Sequence, residues 1–130
     1  MQDAPVLGTI GWFDLTVEDA PAIRDFYAEV VGWKPSPVPM GEYDDFNMTG
    51  PTDDTPRAGV CHSRGGNEGL PPAWLAYIYI ANLGESLAAC EARGGKLVRG
   101  PLEMGADRYA VIQDPAGAYL ALYQKGSGEG

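Results

Sequence analysis

The chain repeats itself at a fixed distance. Asn82 lies 63 residues after Asp19, Gly95 lies 63 after Gly32, and Tyr109 lies 63 after Phe46. A single offset therefore aligns two helix caps, two helix stops and two strand aromatics. A period this long predicts two copies of one supersecondary unit. The local patterns make that unit β-α-β-β-β.

In the first copy, residues 8–17 alternate, with Phe13, Leu15 and Val17 on one face and Trp12, Asp14 and Thr16 on the other. Such alternation predicts a half-buried strand. Asp19 can cap the following helix, whose first turn tolerates Pro21. Ile23, Phe26, Tyr27 and Val30 form its apolar stripe, and Gly32 stops it. Residues 33–38 begin as a strand, but Pro35, Pro37 and Pro39 confine it to an edge or an irregular ribbon. Residues 43–49 place Phe46 and Met48 on one face and Asp45, Asn47 and Thr49 on the other. A short strand follows at 57–63.

The second copy runs in the same order. Residues 73–81 alternate between Ala76, Ile78 and Ile80 on one side and Leu75, Tyr77 and Tyr79 on the other. Asn82 and Glu85 make a capping arrangement, Leu83, Leu87 and Cys90 a helix stripe, and Gly94-Gly95 a stop. A short strand is expected at 96–99, ended by Gly100-Pro101. A hairpin over 108–124 closes the chain around Asp114-Pro115-Ala116-Gly117. Setting Gln113 opposite Ala118 places Arg108 opposite Tyr123, Ala110 opposite Ala121 and Ile112 opposite Tyr119. Those six then share one face, while Tyr109, Val111, Leu120 and Leu122 share the other. The modules span about 8–63 and 73–124 of one domain, joined by a Gly- and Pro-rich linker at 64–72. Residues 126–130 are expected to form a disordered tail.

At 130 residues the chain has the size of a single domain. Its net charge of −9 argues against nucleic acid and anionic membranes as partners. Cys61 and Cys90 are its only cysteines. They lack zinc-site spacing and fit reduced, buried thiols in a cytoplasmic protein. Met1-Gln-Asp-Ala-Pro5 has no signal-peptide character, and no apolar run reaches transmembrane length.

The order of Trp12-Phe-Asp-Leu-Thr-Val-Glu-Asp19, Phe26-Tyr27, Gly32-Trp33, Trp74-Leu-Ala-Tyr77, Gly94-Gly95, Gly100-Pro101 and Asp114-Pro-Ala-Gly-Ala118 resembles the vicinal oxygen chelate superfamily. This is the glyoxalase, bleomycin-resistance and extradiol-dioxygenase group. The resemblance covers residues 8–124 and implies an α+β fold. In it, two β-α-β-β-β modules form a curled, mostly antiparallel sheet around a cleft, with helices on the convex side. It also implies that Phe13, Leu15, Val17, Ile78, Ile80, Leu120 and Leu122 face helices. Trp12, Asp14, Leu75, Tyr77, Tyr79, Ala110, Ala121 and Tyr123 would face the cleft.

Enzymes of this superfamily bind a divalent metal through cleft-facing His, Glu or Gln. Carried over to this chain, those positions are Trp12, Leu75 (or Trp74 in a slipped register), Ala121, and Gly59 or Val60. None offers the imidazole or carboxylate that such a metal needs. The one histidine, His62, is not at a ligand position. Asp44-Asp45 and Asp53-Asp54 are adjacent pairs; neighbours on a strand point to opposite faces, and the second pair sits in a solvated turn, so neither makes a catalytic dyad. No nucleophile motif or phosphate-binding loop is present.

What remains is a lining suited to binding. Trp12, Tyr77, Tyr79, Tyr119 and Tyr123 offer aromatic faces, and Asp14, Asp45, Asn47 and Arg108 offer polar handles. The expectation is a metal-free protein, with no cofactor and no catalytic residue, that holds a small organic molecule and works as a homodimer. Two alternatives are a metal-dependent lyase, isomerase or dioxygenase, and a partner-binding or regulatory module with a filled cleft.

Overall fold

A computed structural model describes residues 5–126. These residues form two α-helices and eight strands, the α+β content expected. The elements are β1 (Ile10–Val17), α1 (Ala20–Val31), β2 (Lys34–Pro39), β3 (Asp44–Thr49) and β4 (Pro56–His62). They continue with β5 (Leu75–Tyr79), α2 (Leu83–Ala92), β6 (Lys96–Met104), β7 (Asp107–Gln113) and β8 (Tyr119–Gln124). The chain forms two compact units. One is Trp12–Trp74; the other is the chain from Leu75 onward, joined by the residues up to Gly11. The first residues of the expected N-terminal module therefore belong with the second unit. There, Gly8 N–H donates to the Tyr79 carbonyl at 2.8 Å, and Tyr79 N–H donates to the Thr9 carbonyl at 3.1 Å.

Within the first unit the strand order is β2-β3-β4-β1, with β1 parallel to β4 and the other neighbours antiparallel. Within the second it is β6-β7-β8-β5, with β5 parallel to β8. These are the same order once each element is matched to its counterpart, so the repeat in sequence is a repeat in topology. The helix ends follow the expected chemistry. Asp19 accepts from Ala22 N–H and Asn82 from Glu85 N–H, each satisfying a donor left free in the first turn. Gly32 closes α1 in the left-handed conformation at φ 86°, where a side chain would be strained.

Each unit has its own core. Ala20, Phe46, Met48 and Val60 form the first, with Val17, Ile23, Tyr27, Trp33 and Trp74 packed against them. Leu83, Ala110 and Leu122 form the second, joined by Ile80, Leu87, Ile112 and Leu120. The α1 stripe is narrower than expected. Ile23 and Tyr27 turn inward, but Phe26 and Val30 are 54% and 64% exposed. Phe13, expected against a helix, is 40% exposed.

The hairpin register differs from expectation by one residue. Asp114 N–H donates to the Ala118 carbonyl at 2.8 Å, and the Asp114 carboxylate accepts from Ala116 N–H and Ala118 N–H. The loop between them is thus the three residues Pro115–Gly117, with Gly117 at φ 95°. The pairs become Gln113 with Tyr119, Ile112 with Leu120, Val111 with Ala121, Ala110 with Leu122, Tyr109 with Tyr123 and Arg108 with Gln124. A one-residue slip exchanges the faces of one strand relative to the other. Arg108 and Ala110 move to the side of Leu120 and Leu122, where α2 packs, and Tyr109 joins Ala121 and Tyr123.

The 63-residue offset holds for the N-caps and for Leu15 and Ile78, which occupy matching places in β1 and β5, but not for the helix stops: α2 is capped at Arg93, and Gly94 rather than Gly95 takes the left-handed conformation. The offset also fails in the hairpin. Leu15 pairs with Val60, and Val60 with Phe46; Ile78 pairs with Leu122, and Leu122 with Ala110. Ala110, not Tyr109, is therefore the counterpart of Phe46.

β6 does not end at Gly100-Pro101 but runs on to Met104, with register shifts between Leu97 and Arg99 and between Arg99 and Leu102. Bulges let an antiparallel pair pass a residue that cannot join the ladder. The expected linker 64–72 contains a 3-10 turn at Gly65–Asn67 and a buried Leu70. Gly126, placed in the expected tail, donates its N–H to Asp107 at 2.6 Å. Residues 127–130 lie outside the described residues. At the β2 edge, Met40 N–H donates inward to the Tyr43 carbonyl. The alternation then points positions 35, 37 and 39 outward, and all three are proline.

Candidate functional site

Four tyrosines meet on one strand face of the second unit. The Tyr123 ring lies 6.3 Å from Tyr77, 6.0 Å from Tyr79 and 6.1 Å from Tyr109, nearly parallel to the last at 16°. Tyr77 and Tyr109 are 6.0 Å apart. Three strands supply these rings, and the Tyr123–Tyr109 pair exists because the three-residue loop sets their register. Ala121, fully buried, pairs with Tyr77 on one side and Val111 on the other. Tyr119 shares this face by alternation. Gly11 borders it: a Cβ there would collide with the Tyr79 ring.

The Tyr123 hydroxyl donates to Asp107 Oδ2 at 2.6 Å, while Asp107 Oδ1 accepts from Gly126 N–H. Lys125 Nζ stands 3.8 Å from the same carboxylate. The Gly126 amide, then the Tyr123 hydroxyl, hold the Asp107 carboxyl below the usual carboxylate range. Burial, then Asp107, push the Tyr123 phenol above the ordinary tyrosine value. A lowered acid stabilises the fold above its unfolded value, and that contribution is lost as pH falls through the folded one. A raised phenol stabilises it below its unfolded value, and that contribution is lost as pH rises through the folded one. The pair thus supports the fold between about pH 4 and pH 10. In an ultraviolet titration of phenolate absorbance, Tyr123 is expected to contribute a late step, above the ordinary tyrosine value. Tyr123→Phe should remove that late step, and Asp107→Asn should bring it to lower pH. A titration that Tyr123→Phe leaves unchanged apart from the total amplitude of the ordinary step would refute the assignment.

The first unit carries a polar row across all four of its strands. Asp14 of β1 pairs with Gly59 of β4, Gly59 with Asn47 of β3, and Asn47 with Ser36 of β2. Trp12 lies on the same side, and its indole N–H donates to Asp14 Oδ1 at 2.5 Å. A Cβ on Gly59 would stand 3.4 Å from the indole nitrogen and inside contact distance of Asp14 Oδ1. Asp45 is buried and accepts from the His62 backbone N–H at 2.8 Å. Burial, then Asp14 and Asp45, raise the Cys61 thiol well above its usual value, which leaves it an unreactive group. His62 packs edge-on against Tyr43 at 5.0 Å.

Trp12, Asp14, Asp45 and Asn47 therefore share one face of the first unit, and Tyr77, Tyr79, Tyr119 and Tyr123 one face of the second. Arg108 does not join them: it is exposed on the opposite side from Tyr109 and Tyr123. Tyr109 and Asp107 are not among the expected site residues, and Gly59 is expected only as an alternative to Val60 at a metal position. Counting a three-residue loop instead of four would have found the first two, since Asp107 and Tyr109 alternate on one face of β7.

The carried-over metal positions can now be fixed. The pairing makes Gly59, not Val60, the counterpart of Ala121. Leu75 lies on the Tyr77 face, whereas Trp74 packs into the first core and donates to the Tyr27 hydroxyl at 3.2 Å. The four positions are Trp12, Gly59, Leu75 and Ala121. Nothing among them donates a lone pair to a hard or borderline cation, so the residues present do not fit the metal. Among the described residues, no three His, Cys, Asp or Glu side chains cluster as ligands elsewhere.

Two β-α-β-β-β modules with matching strand order define a paired-module α+β protein. A family model described as the Glyoxalase/Bleomycin resistance protein/Dioxygenase superfamily matches residues 9–122, and the chain belongs to that superfamily. It is 31% identical over 135 residues to the anthracycline biosynthesis protein DnrV of Streptomyces peucetius, covering 95% of this chain and 49% of that protein. It is also 31% identical over 120 residues to the putative glyoxylase CFP32 of Mycobacterium tuberculosis, covering 90% of this chain and 46% of that one. The chain thus spans about half the length of the curated relatives it matches. Among solved structures, methylmalonyl-CoA epimerase from M. tuberculosis superposes with a TM-score of 0.56 at 14% identity. That match covers 98% of this chain and 95% of the epimerase. A superfamily member from Vibrio splendidus 12B01 gives 0.58 at 15% identity, covering 90% and 100%. These likenesses show the fold. No helix among the described residues is long and apolar enough to cross a membrane.

Proposed function

We propose that this protein binds a small, planar organic molecule without a metal, holding it against the tyrosine-lined strand face of its second unit. The observation that carries this reading is Tyr123, central to Tyr77, Tyr79 and Tyr109 on the face where Ala121 takes the place of a metal-binding carboxylate. Aromatic faces stack on planar ligands and offer apolar area at small entropic cost. The similarity to an anthracycline biosynthesis protein supports a ligand with fused rings. The protein works in the cytoplasm as a homodimer; free Cys61 and Cys90 suit a reducing compartment. Exposed Phe26, Val30 and Val31 on α1 are apolar area a second copy could cover.

The test combines metal analysis with ligand titration. Purified protein should carry Fe, Zn, Ni and Mn far below one equivalent. Naphthol should bind, and Tyr109→Ala or Tyr123→Ala should weaken it by about tenfold, the worth of one stacking contact. One equivalent of tightly held metal, or unchanged binding in both variants, would overturn the reading.

A further inference from the structure

Trp12 occupies a family metal position, yet it is not an idle replacement. Its indole N–H is committed to Asp14 Oδ1. The bond passes over Gly59, the one residue of the polar row without a side chain, and a methyl group there would displace the Asp14 carboxylate oxygen while touching the indole nitrogen at ordinary contact distance. A tryptophan on a strand face ordinarily chooses among rotamers. Here the hydrogen bond and the glycine beneath it select one, with the ring half-buried and its N–H no longer available to a ligand. What the ring still offers is its face. Asn47 stands next to Gly59 in the same row and supplies a neutral donor and acceptor. Asp14 makes the immediate surroundings negative.

We propose that Trp12 is a preset stacking plate for a neutral planar aromatic group, with Asp14 and Gly59 as its positioning residues and the Asn47 amide as the polar handle. The Asp14 carboxylate would turn away planar anions. The inference rests on the reading above that the protein takes a planar organic ligand, and it gives the first unit a stacking surface of its own.

Nuclear magnetic resonance of isotope-labelled protein tests it, with the Trp12 indole N–H among the three tryptophans identified by its loss in Trp12→Phe. The resonance should lie downfield and exchange slowly, as a charge-assisted donor does. Naphthol should shift it, and naphthoate should bind at least about tenfold more weakly. Asp14→Leu and Gly59→Ala should each move the resonance upfield and weaken naphthol by about tenfold, whereas Asp14→Asn, which keeps an acceptor oxygen, should stay close to wild type. If naphthol binds and shifts tyrosine resonances but leaves the Trp12 indole unmoved, this inference fails while the tyrosine reading stands. The wild-type titration decides that point even if a variant does not fold. Equal affinity for naphthoate would overturn the role given to Asp14.

Discussion

Replacing Ala121 by glutamate, which restores the family's carboxylate, is expected to destabilise the protein by about 3 kcal/mol rather than create a metal site. Ala121 is fully buried between Tyr77 and Val111 in the β5-β8-β7 ladder. A longer side chain must push the tyrosine rings apart, and its charge would enter a fully buried place in the ladder, where the cations on that face among the described residues, Arg99 across from Val111 and Lys125 drawn to Asp107, are not set to meet it. Zinc or manganese should not restore the loss, because Leu75, beside it on the family pattern, has no donor. Urea unfolding with and without metal reads the effect. A midpoint that metal returns to the wild-type value would show that donors were present after all.

The second large effect is expected in the other unit. Met48 is fully buried among Phe46, Val60 and the side chains that α1 presents. Truncation to alanine removes three heavy atoms from a packed site and leaves a cavity, at a cost of about 2–5 kcal/mol. Phe26→Ala, by contrast, should cost the single chain only about 1 kcal/mol, because the ring is 54% exposed and its ring contact is the edge of Tyr27. The pair is informative together. The periodicity of α1 alone would rank Phe26 as core, and only the orientation of the helix on its sheet distinguishes the two. Comparable losses in both variants would mean that α1 is rotated on its sheet relative to the arrangement described.

What could be read from residues alone follows the range of the physics involved. Asp19, Asn82 and Gly32 act within one helical turn, and their roles were apparent. The strand alternation in β1, β3 and β5 was equally local, so Trp12, Asp14 and Asn47 fell on one face, and Tyr77 with Tyr79 on another. The register of β7 against β8 was not local in that sense. It depends on whether Asp114 ends a strand or begins a loop, and its carboxylate, accepting from Ala116 and Ala118, decides for a three-residue loop. That single count moved Arg108 away from the tyrosines and brought Tyr109 to them. The match of Tyr109 to Phe46 was a coincidence of spacing, because the second copy is shorter around its last turn. Phe26 and Val30 fit a helix stripe by period, but period cannot say how wide a strip the sheet will cover.

The prolines of β2 have a consequence for how the protein behaves in a crowd. An approaching strand finds carbonyl acceptors along that border but no amide hydrogens to bond with at positions 35, 37 or 39. A foreign strand can therefore form at most half of a ladder there, and the border cannot template its own extension. This side is therefore a poor seed for fibrils, and two copies cannot join here through a continuous β-ladder.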